Sequence, residues 1–466
     1  MAQPIILYTL YIIHSDYSFF FMKFQIDEIL SRLGLESLTD MQQQMYQVGR
    51  QRGGVVLLSP TGSGKTLAFL LPLLERLDEN ADSLQAVVVV PTRELALQHE
   101  DVLKRMKTPM RHLCLYGGRP TMEEHRSLRR VNPHLVVATP GRLCDHLAKQ
   151  NLQPDGVRVL VFDEFDKCLE LGFRTQMEQI VSDVRAGSVW LLSATRAEVI
   201  PSFMLRATAE SPITLDFLQE AAPQTDGRIR TFRVSSPQPD KLETAGRLLA
   251  CLKGEPAIVF VAHRESVERV GQYLREKGFE AALYHGGMEQ MWRERALYRF
   301  RCGAANVLVS TDLAARGLDI PEVRAVVHYH LPLREEDYTH RNGRTARWQA
   351  DGNAYLLTGP TETLPEFAGN AEDYVWPEGA ETQMPTPARY GVLYIGRGKQ
   401  DKLSKADVLG FLCKKGGLKA AQIGRIDVGP HYAYAAVLRS QLKQLLRRIA
   451  GEKIKGMKTL VEEMRK

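Results

Sequence analysis

Residues 157–166 read Val157-Arg158-Val159-Leu160-Val161-Phe162-Asp163-Glu164-Phe165-Asp166, a largely apolar, β-branched run that stops at acids. Such a run reads as a buried strand of a parallel sheet. Carboxylates at its far end fall at the sheet edge where α/β proteins hold their ligands. A magnesium nucleotide suits such a pair of acids.

Upstream, Ser59-Pro60-Thr61-Gly62-Ser63-Gly64-Lys65-Thr66 follows the apolar run 55–58 and precedes an apolar helical stretch. Gly62 and Gly64 let backbone N–H groups turn around a phosphate and the next helix offers its positive end. Lys65 can reach the outer phosphates, and Thr66 can place a hydroxyl on Mg²⁺. Ser59 stands where the general phosphate-loop pattern has glycine. Loop and acids make one expected site.

The chain has 466 residues, roughly three domains' worth, and 44% of them are hydrophobic, as in ordinary globular proteins. Its six cysteines are scattered without a Cys-x-x-Cys pair, so neither a zinc site nor a disulfide framework is expected and a reducing cytoplasm fits. Net charge is +6, but residues 389–466 carry 18 Lys and Arg against 6 Asp and Glu, so that segment stands at +12 and the rest at −6. A compact basic segment of this kind is the footprint of a nucleic-acid module. The run 5–13 is apolar but too short to span a bilayer, and no basic residue precedes Lys23 as a secretory signal requires. Residues 1–21 are expected to be a non-native extension, with Met22 the natural start and no membrane association.

Helical periodicity from 24 to 48 breaks at Gly34 and contains Gln42, whose amide can meet both a donor and an acceptor on an adenine edge. Among Gln43 and Gln44 it reads equally as exposed helix surface. Two strand-to-helix junctions, Pro91-Thr92-Arg93-Glu94 and Thr139-Pro140-Gly141-Arg142, with Gly117-Gly118 between them, place hydroxyls, arginines and N–H groups at helix starts. Each alone is a helix cap; together they suit the backbone of a nucleic acid. Strand 188–192 ends in Ser193-Ala194-Thr195. The alternation pauses over 207–234, expected as an interlobe linker, and resumes with strands at 257–261, 281–285, 306–310, 325–329 and 353–357. This second series has no phosphate loop. Its Arg341, Arg344 and Arg347 recur every three residues, close to one helical face, and could neutralise charge at a γ-phosphate held by the first lobe.

Residues 359–387 are rich in Pro, Glu and Thr and hold no Lys or Arg, which reads as a semi-flexible acidic spacer. Beyond them, strand 391–395, helix 404–415, strands 423–428 and 432–438, helix 440–452 and strand 457–461 give the β-α-β-β-α-β order of an RRM, a ferredoxin-like α+β domain. Tyr394, Tyr432 and Tyr434 stand either as base-stacking rings or as core. Lys414, Lys415, Lys419, Lys443, Arg447 and Arg448 would meet phosphates with salt-sensitive affinity.

With these residues in hand, residues 24–357 resemble the DEAD-box family of ATP-dependent RNA helicases, in the order Phe24 and Gln42, SPTGSGKT, PTREL, GG, TPGR, DEFD, SAT, HGGMEQMWR, STDLAARGLD, HRNGRTAR. The tail is similar to RNA-binding domains of the DbpA type. The resemblance implies two tandem RecA-like parallel-sheet lobes, 22–206 and 235–358, then the acidic linker and an RRM-like domain at 388–466. It implies nucleotide contacts from Phe24, Gln42, residues 59–66 and Asp319, with Mg²⁺ at Asp163. Glu164 is expected to polarise the attacking water, Arg344 and Arg347 to act as arginine fingers, and Asp166, Ser193, Thr195 and His340 to couple the lobes. RNA contacts are expected from Thr92, Arg93, Gly117, Gly118, Thr139, Gly141, Arg142, Gln290, Arg293 and Thr311, and in the tail from Lys414, Lys415, Tyr432 and Tyr434.

Four positions depart from the family pattern. Phe165 replaces a small residue and faces either the core or His340. Leu38 and Asp40 stand where prolines are usual, and Ala346 where glycine is. The expected activity is RNA-dependent ATP hydrolysis that opens short duplexes in structured RNA, such as large-subunit ribosomal RNA during ribosome assembly, with ATP and Mg²⁺ required and no obligate protein partner evident. An ATP-gated RNA clamp and a DNA-directed helicase are the alternatives.

Overall fold

The strand Val159–Asp163 is buried at every position and pairs in parallel with Ala86–Val89 on one side and Ser188–Ser193 on the other. Its side chains alternate. Val159 and Val161 join an apolar cluster with helices Lys65–Glu75 and Arg93–Met106, while Leu160 and Phe162 join a second with Pro140–Ala148 and Arg174–Val184. Burial on both faces is why the run has no polar alternation. A computed structural model describes residues 26–51, 53–60, 62–118, 121–196, 200–208, 212–218, 229–312, 323–345 and 352–464. The expected non-native extension, Phe24, Thr61, Asp319, Ala346 and Arg347 lie outside them.

Among the described residues the first lobe is a parallel seven-stranded sheet. Its order is His112–Leu115, Leu135–Ala138, Ala86–Val89, Val159–Asp163, Ser188–Ser193, Val55–Leu58 and Ile213–Asp216. A second parallel sheet follows, in the order Ala281–Tyr284, Val307–Ser310, Ala257–Phe260, Ala325–His328, Gly352–Thr358, Ile229–Ser235 and Glu372–Asp373. The third domain is a four-stranded antiparallel sheet, ordered Ile423–Val428, Ala433–Leu438, Tyr390–Ile395 and Val461–Glu463. One face of this sheet is covered by helices Lys405–Lys414 and Arg439–Arg448 through Val408, Phe411, Leu442 and Leu445. No helix among the described residues is long and apolar enough to cross a membrane.

Three expectations of organisation need correction. The interval 207–234 is not linker throughout, because Ile213–Asp216 adds an edge strand to the first sheet and Ile229–Ser235 enters the second. The first is largely exposed and only four residues long, so its pattern is faint in the sequence.

Residues 359–387 do not read as a spacer once folded. Glu372–Asp373 pairs with Ile229–Ser235, and the acids meet arginines of that edge, Arg230 with Glu372 at 3.1 Å and Arg233 with Asp373 at 2.6 Å. Tyr374 and Trp376 pack on the second lobe's core, with Arg247 lying 4.1 Å from the Trp376 ring centroid. The acids that suggested a solvated segment, with the aromatics between them, are those of a strap laid along a basic edge.

The last strand of the tail is also displaced. Met457–Lys458 forms a hairpin with Lys453–Ile454, and Val461–Glu463 is the strand that completes the sheet.

Candidate active site and nucleic-acid groove

The phosphate loop lies between Val55–Leu58 and helix Lys65–Glu75, with Gly62 at φ 84° and Gly64 at φ 89°. A Cβ on Gly64 would stand 2.5 Å from Nε2 of Gln42, so this position needs glycine for its backbone, and a side chain there would move the end of Gln42. The Lys65 ammonium donates to the Ser59 and Pro60 carbonyls, and Ser59 bonds Ser63 through their hydroxyls at 2.7 Å. Burial lowers the Lys65 pKa, opposed by the charges of Asp163, Glu164 and Asp166.

Gln42 resolves its two readings: it is buried while Gln43 and Gln44 are exposed. Thr39 and Gln42 form a capping box, and Nε2 of Gln42 donates to the Gly64 carbonyl at 3.3 Å. The same amide therefore shapes the helix start and lines the cavity beside the loop. Leu38 and Asp40 in place of prolines leave this geometry intact.

At the end of the central strand, Asp163 and Glu164 are both buried. Glu164 is a non-glycine residue at φ 51°, capping the short helix Phe165–Glu170, and this turn is what aims consecutive carboxylates at the loop. Burial and the neighbouring Asp163 push its pKa up to about 7, against the pull of Lys65. One Asp163 oxygen, Oδ2, takes His99 Nε2 at 2.8 Å; Oδ1 is buried and meets no donor among the described residues. An inward-facing carboxylate oxygen without a partner, next to a glycine cradle, fits a cation with a phosphate.

Phe165 points into the core and is fully buried, away from the cleft. Asp166 accepts from the Thr195 hydroxyl at 2.7 Å, and Ser193 donates to the Thr195 carbonyl at 2.6 Å, so these three form one chain of bonds. His340 is buried on helix Glu335–Asn342.

Arg341 and Arg344 do not share a helical face, and Arg347 lies outside the described residues. The helix ends at Asn342, Arg341 turns inward to pair with Asp312 through Nε and Nη2 at 2.6 and 3.0 Å, and Arg344 sits in the following turn. Arg341 is structural. Arg344, from the second lobe, lines one cavity of about 690 Å³ with Gln42, Gly62, Gly64, Lys65, Thr66, Asp163 and Glu164 of the first. The charge of Arg344 also draws the Glu164 pKa down.

Thr92 caps helix Arg93–Met106 by accepting from the Leu95 N–H at 3.2 Å. The ends of three adjacent strands bring it together with Gly117, Gly118, Thr139, Gly141 and Arg142. Arg142 donates to Thr121 at 2.8 Å and pairs with buried Glu124 at 3.2 Å. Across the cleft, helix Gln290–Arg301 meets this edge: Arg93 pairs with Glu294 at 3.1 Å, and Arg293 with Glu94 at 3.3 Å. Thr311 follows the strand Val307–Ser310.

In the tail, Lys414 and Lys415 are exposed. Tyr434 is buried, and its ring lies 5.1 Å from that of Tyr298 in the second lobe; Tyr432 donates to Glu294 at 2.6 Å. The sheet face expected to stack bases thus meets the second lobe at Tyr434, which is buried, while Tyr394 and Tyr432 are half-buried beside it.

Sequence reasoning missed His99, Glu94 and Glu294. His99 had a faint signal, since it stands on the buried stripe of Leu95, Leu103 and Met106, where a histidine needs a partner.

The DEAD/DEAH box helicase family matches residues 39–202, the helicase conserved C-terminal domain residues 240–349, and the DbpA RNA binding domain residues 392–463. ATP-dependent RNA helicase DbpA of Escherichia coli is 34% identical over 437 residues, covering 92% of this chain and 94% of that protein. DEAD-box ATP-dependent RNA helicase CshA of Bacillus licheniformis is 36% identical over 350 residues, covering 73% and 71%. Among solved structures, S. cerevisiae Dbp5 bound to RNA and ADP BeF3 is similar with TM-score 0.64 and 25% identity, over 74% of this chain and 88% of that one. Mss116 bound to ssRNA and UDP-BeF gives TM-score 0.67 and 26% identity, over 77% and 79%. Two RecA-like lobes, a loop and acids joined by an arginine from the facing lobe, and these matches along the whole described core identify the chain as an ATP-dependent RNA helicase of the DEAD-box family carrying a DbpA-type RNA-binding domain.

Proposed function

We propose that the chain couples ATP hydrolysis to the local opening of short duplexes in structured RNA, with large-subunit ribosomal RNA as target and ribosome assembly in the cytoplasm as setting. The observation that carries this reading is Arg344, a second-lobe cation lining the cavity built by the first lobe's Lys65, Asp163 and Glu164. A site completed across two lobes ties turnover to their meeting.

In this reading the N–H groups of residues 62–66 and Lys65 hold the phosphates, Gln42 and Phe24 the adenine, and Asp319 the ribose. Asp163 and the Thr66 hydroxyl would hold Mg²⁺, which supplies charge neutralisation at the phosphates when bound. Glu164 orients and polarises the attacking water, and Arg344 and Arg347 offset charge developing at the γ-phosphate. The bonded set Asp166, Ser193 and Thr195, with His340, reports the nucleotide to the facing lobe. Thr92, Arg93, Gly117, Gly118, Thr139, Gly141, Arg142, Gln290, Arg293 and Thr311 follow an RNA backbone. The choice of RNA falls to the tail, whose exposed Lys414 and Lys415 and match to a DbpA RNA binding domain support it.

The test is ATP turnover and strand separation on a short duplex attached to large-subunit ribosomal RNA, against small-subunit ribosomal RNA and matched DNA. Strong stimulation by the first alone is expected. Equal stimulation by DNA would reject an RNA enzyme, and turnover without strand separation would favour the clamp.

A further inference from the structure

The carboxylate of Glu294 is shared by all three domains. Its Oε1 accepts from Arg93 of the first lobe at 3.1 Å and from Gln290 of its own helix at 2.9 Å; its Oε2 accepts from the Tyr432 hydroxyl at 2.6 Å. We propose that Glu294 is a positioning residue through which docking of the C-terminal domain favours closure of the two lobes. The inference rests on the closing of the lobes over RNA and nucleotide argued above.

Arg93 is largely buried, and desolvation lowers its pKa. A guanidinium in that position needs a carboxylate close by. It also donates to the Gly117 carbonyl at 3.1 Å, lies 5.1 Å from the Tyr116 ring centroid and feels the charge of neighbouring Glu94, so it is held in place to meet a further acceptor. Glu294 supplies one from the second lobe, and does so well only if its side chain is fixed beforehand. A long carboxylate half-exposed on a helix has several rotamers; the Tyr432 hydroxyl selects the one that faces Arg93.

Tyr432 is in turn placed by a broad interface. Val392, Tyr434, Ala436 and Met464 of the tail pack on Tyr298, Cys302 and Ala304 of the second lobe. The Tyr298 hydroxyl donates to the Arg425 carbonyl, Arg439 pairs with Glu280 at 3.0 Å, and the Tyr390 N–H reaches the Gly303 carbonyl at 3.3 Å. Docking therefore organises Glu294, and Glu294 organises the seam. By linkage, closure must tighten docking by the same factor.

The experiment uses the full chain with one fluorophore on each lobe, titrated with single-stranded RNA in the presence of a non-hydrolysable ATP analogue, reading lobe closure by energy transfer. A second dye pair, between the second lobe and the tail, reads docking. Tyr432→Phe keeps the ring and removes the donor. It is expected to raise the RNA concentration at half-closure about ten- to a hundredfold, the effect of one hydrogen bond to a charged group. Glu294→Gln should do the same, and the double variant should be no worse than Glu294→Gln alone. Thermal unfolding of each variant checks that the fold is kept. Identical closure curves for Tyr432→Phe and the unaltered chain would overturn the proposal, as would shifts that multiply in the double variant. If the unaltered chain itself does not close on RNA and analogue, the closing reading fails first and this one falls with it.

Discussion

His99 Nε2 lies 2.8 Å from Oδ2 of Asp163, and both side chains are buried beneath the phosphate loop. The ring packs 5.5 Å from Phe69, which fixes its plane. One oxygen of Asp163 is thereby tied down, and the other is buried without a donor among the described residues, on a side chain that lines the cavity. Partners of this kind orient a metal-ligating carboxylate and are worth about 10–100-fold in metal affinity. His99→Leu, close in volume but without a donor, should therefore raise the Mg²⁺ concentration needed for nucleotide binding about tenfold. His99→Gln, which keeps an N–H, should recover part of the loss. Magnesium titrations of fluorescent ADP binding check both. The outcome that would discard the role is an unchanged Mg²⁺ midpoint in His99→Leu.

Glu164 has a pKa pushed up to about 7 by burial and by Asp163 beside it. Its proposed task requires the carboxylate, and the ionised fraction grows as pH rises through that value. The acidic limb of kcat/KM for ATP should accordingly fall near pH 7, with activity lost below it. Bound Mg²⁺ favours the ionised form, so the limb in kcat should lie at lower pH. Glu164→Gln, which cannot ionise, should bind ATP and RNA yet turn over poorly, with the limb absent from its residual activity. A pH profile of RNA-stimulated ATPase over pH 5.5–9 decides this.

Gly64 joins two requirements at one atom: a backbone at φ 89° and a Cβ position already taken by Gln42 Nε2. Gly64→Ala should destabilise the first lobe by about 1–2 kcal/mol from the left-handed backbone alone. It should also push Gln42 out of its capping box, weakening nucleotide affinity beyond what the stability change explains. Binding of ADP followed by calorimetry, compared with the denaturation midpoint, separates the two effects.

What could be read from the chain and what could not divides by how far each feature depends on distant partners. The loop, the acids and the buried strands are local: glycine geometry, a positive helix end and an uninterrupted apolar run define them within ten residues. The bond between His99 and Asp163 joins positions 64 residues apart, and that between Tyr432 and Glu294 positions 138 apart. No periodicity marks either. The arginine spacing misled because it assumed a continuing helix, whereas the helix stops at Asn342, with Arg341 turned to Asp312 and Arg344 lining the cavity. The tyrosines of the tail matched an RNA-binding pattern because an RRM sheet face looks alike whether it meets bases or another domain. Only the neighbour, Tyr298, distinguishes them.

The acidic stretch after the second lobe gives the last test. Trp376 lies under Arg247 at 4.1 Å and edge-on to Tyr374, whose ring packs in turn on Tyr355 and Phe232. A solvated spacer would lose nothing on truncating that indole. A strap would lose a cation-π contact, an aromatic pair and the apolar area beneath them, together about 2–3 kcal/mol. Trp376→Ala should therefore lower the unfolding midpoint of the full chain by a few degrees, and Arg247→Ala should lower it less. The double variant should cost less than the two single losses together, since the residues share one contact. Calorimetry of the four proteins measures this, and a Trp376→Ala midpoint equal to that of the unaltered chain would return these residues to the status of a tether.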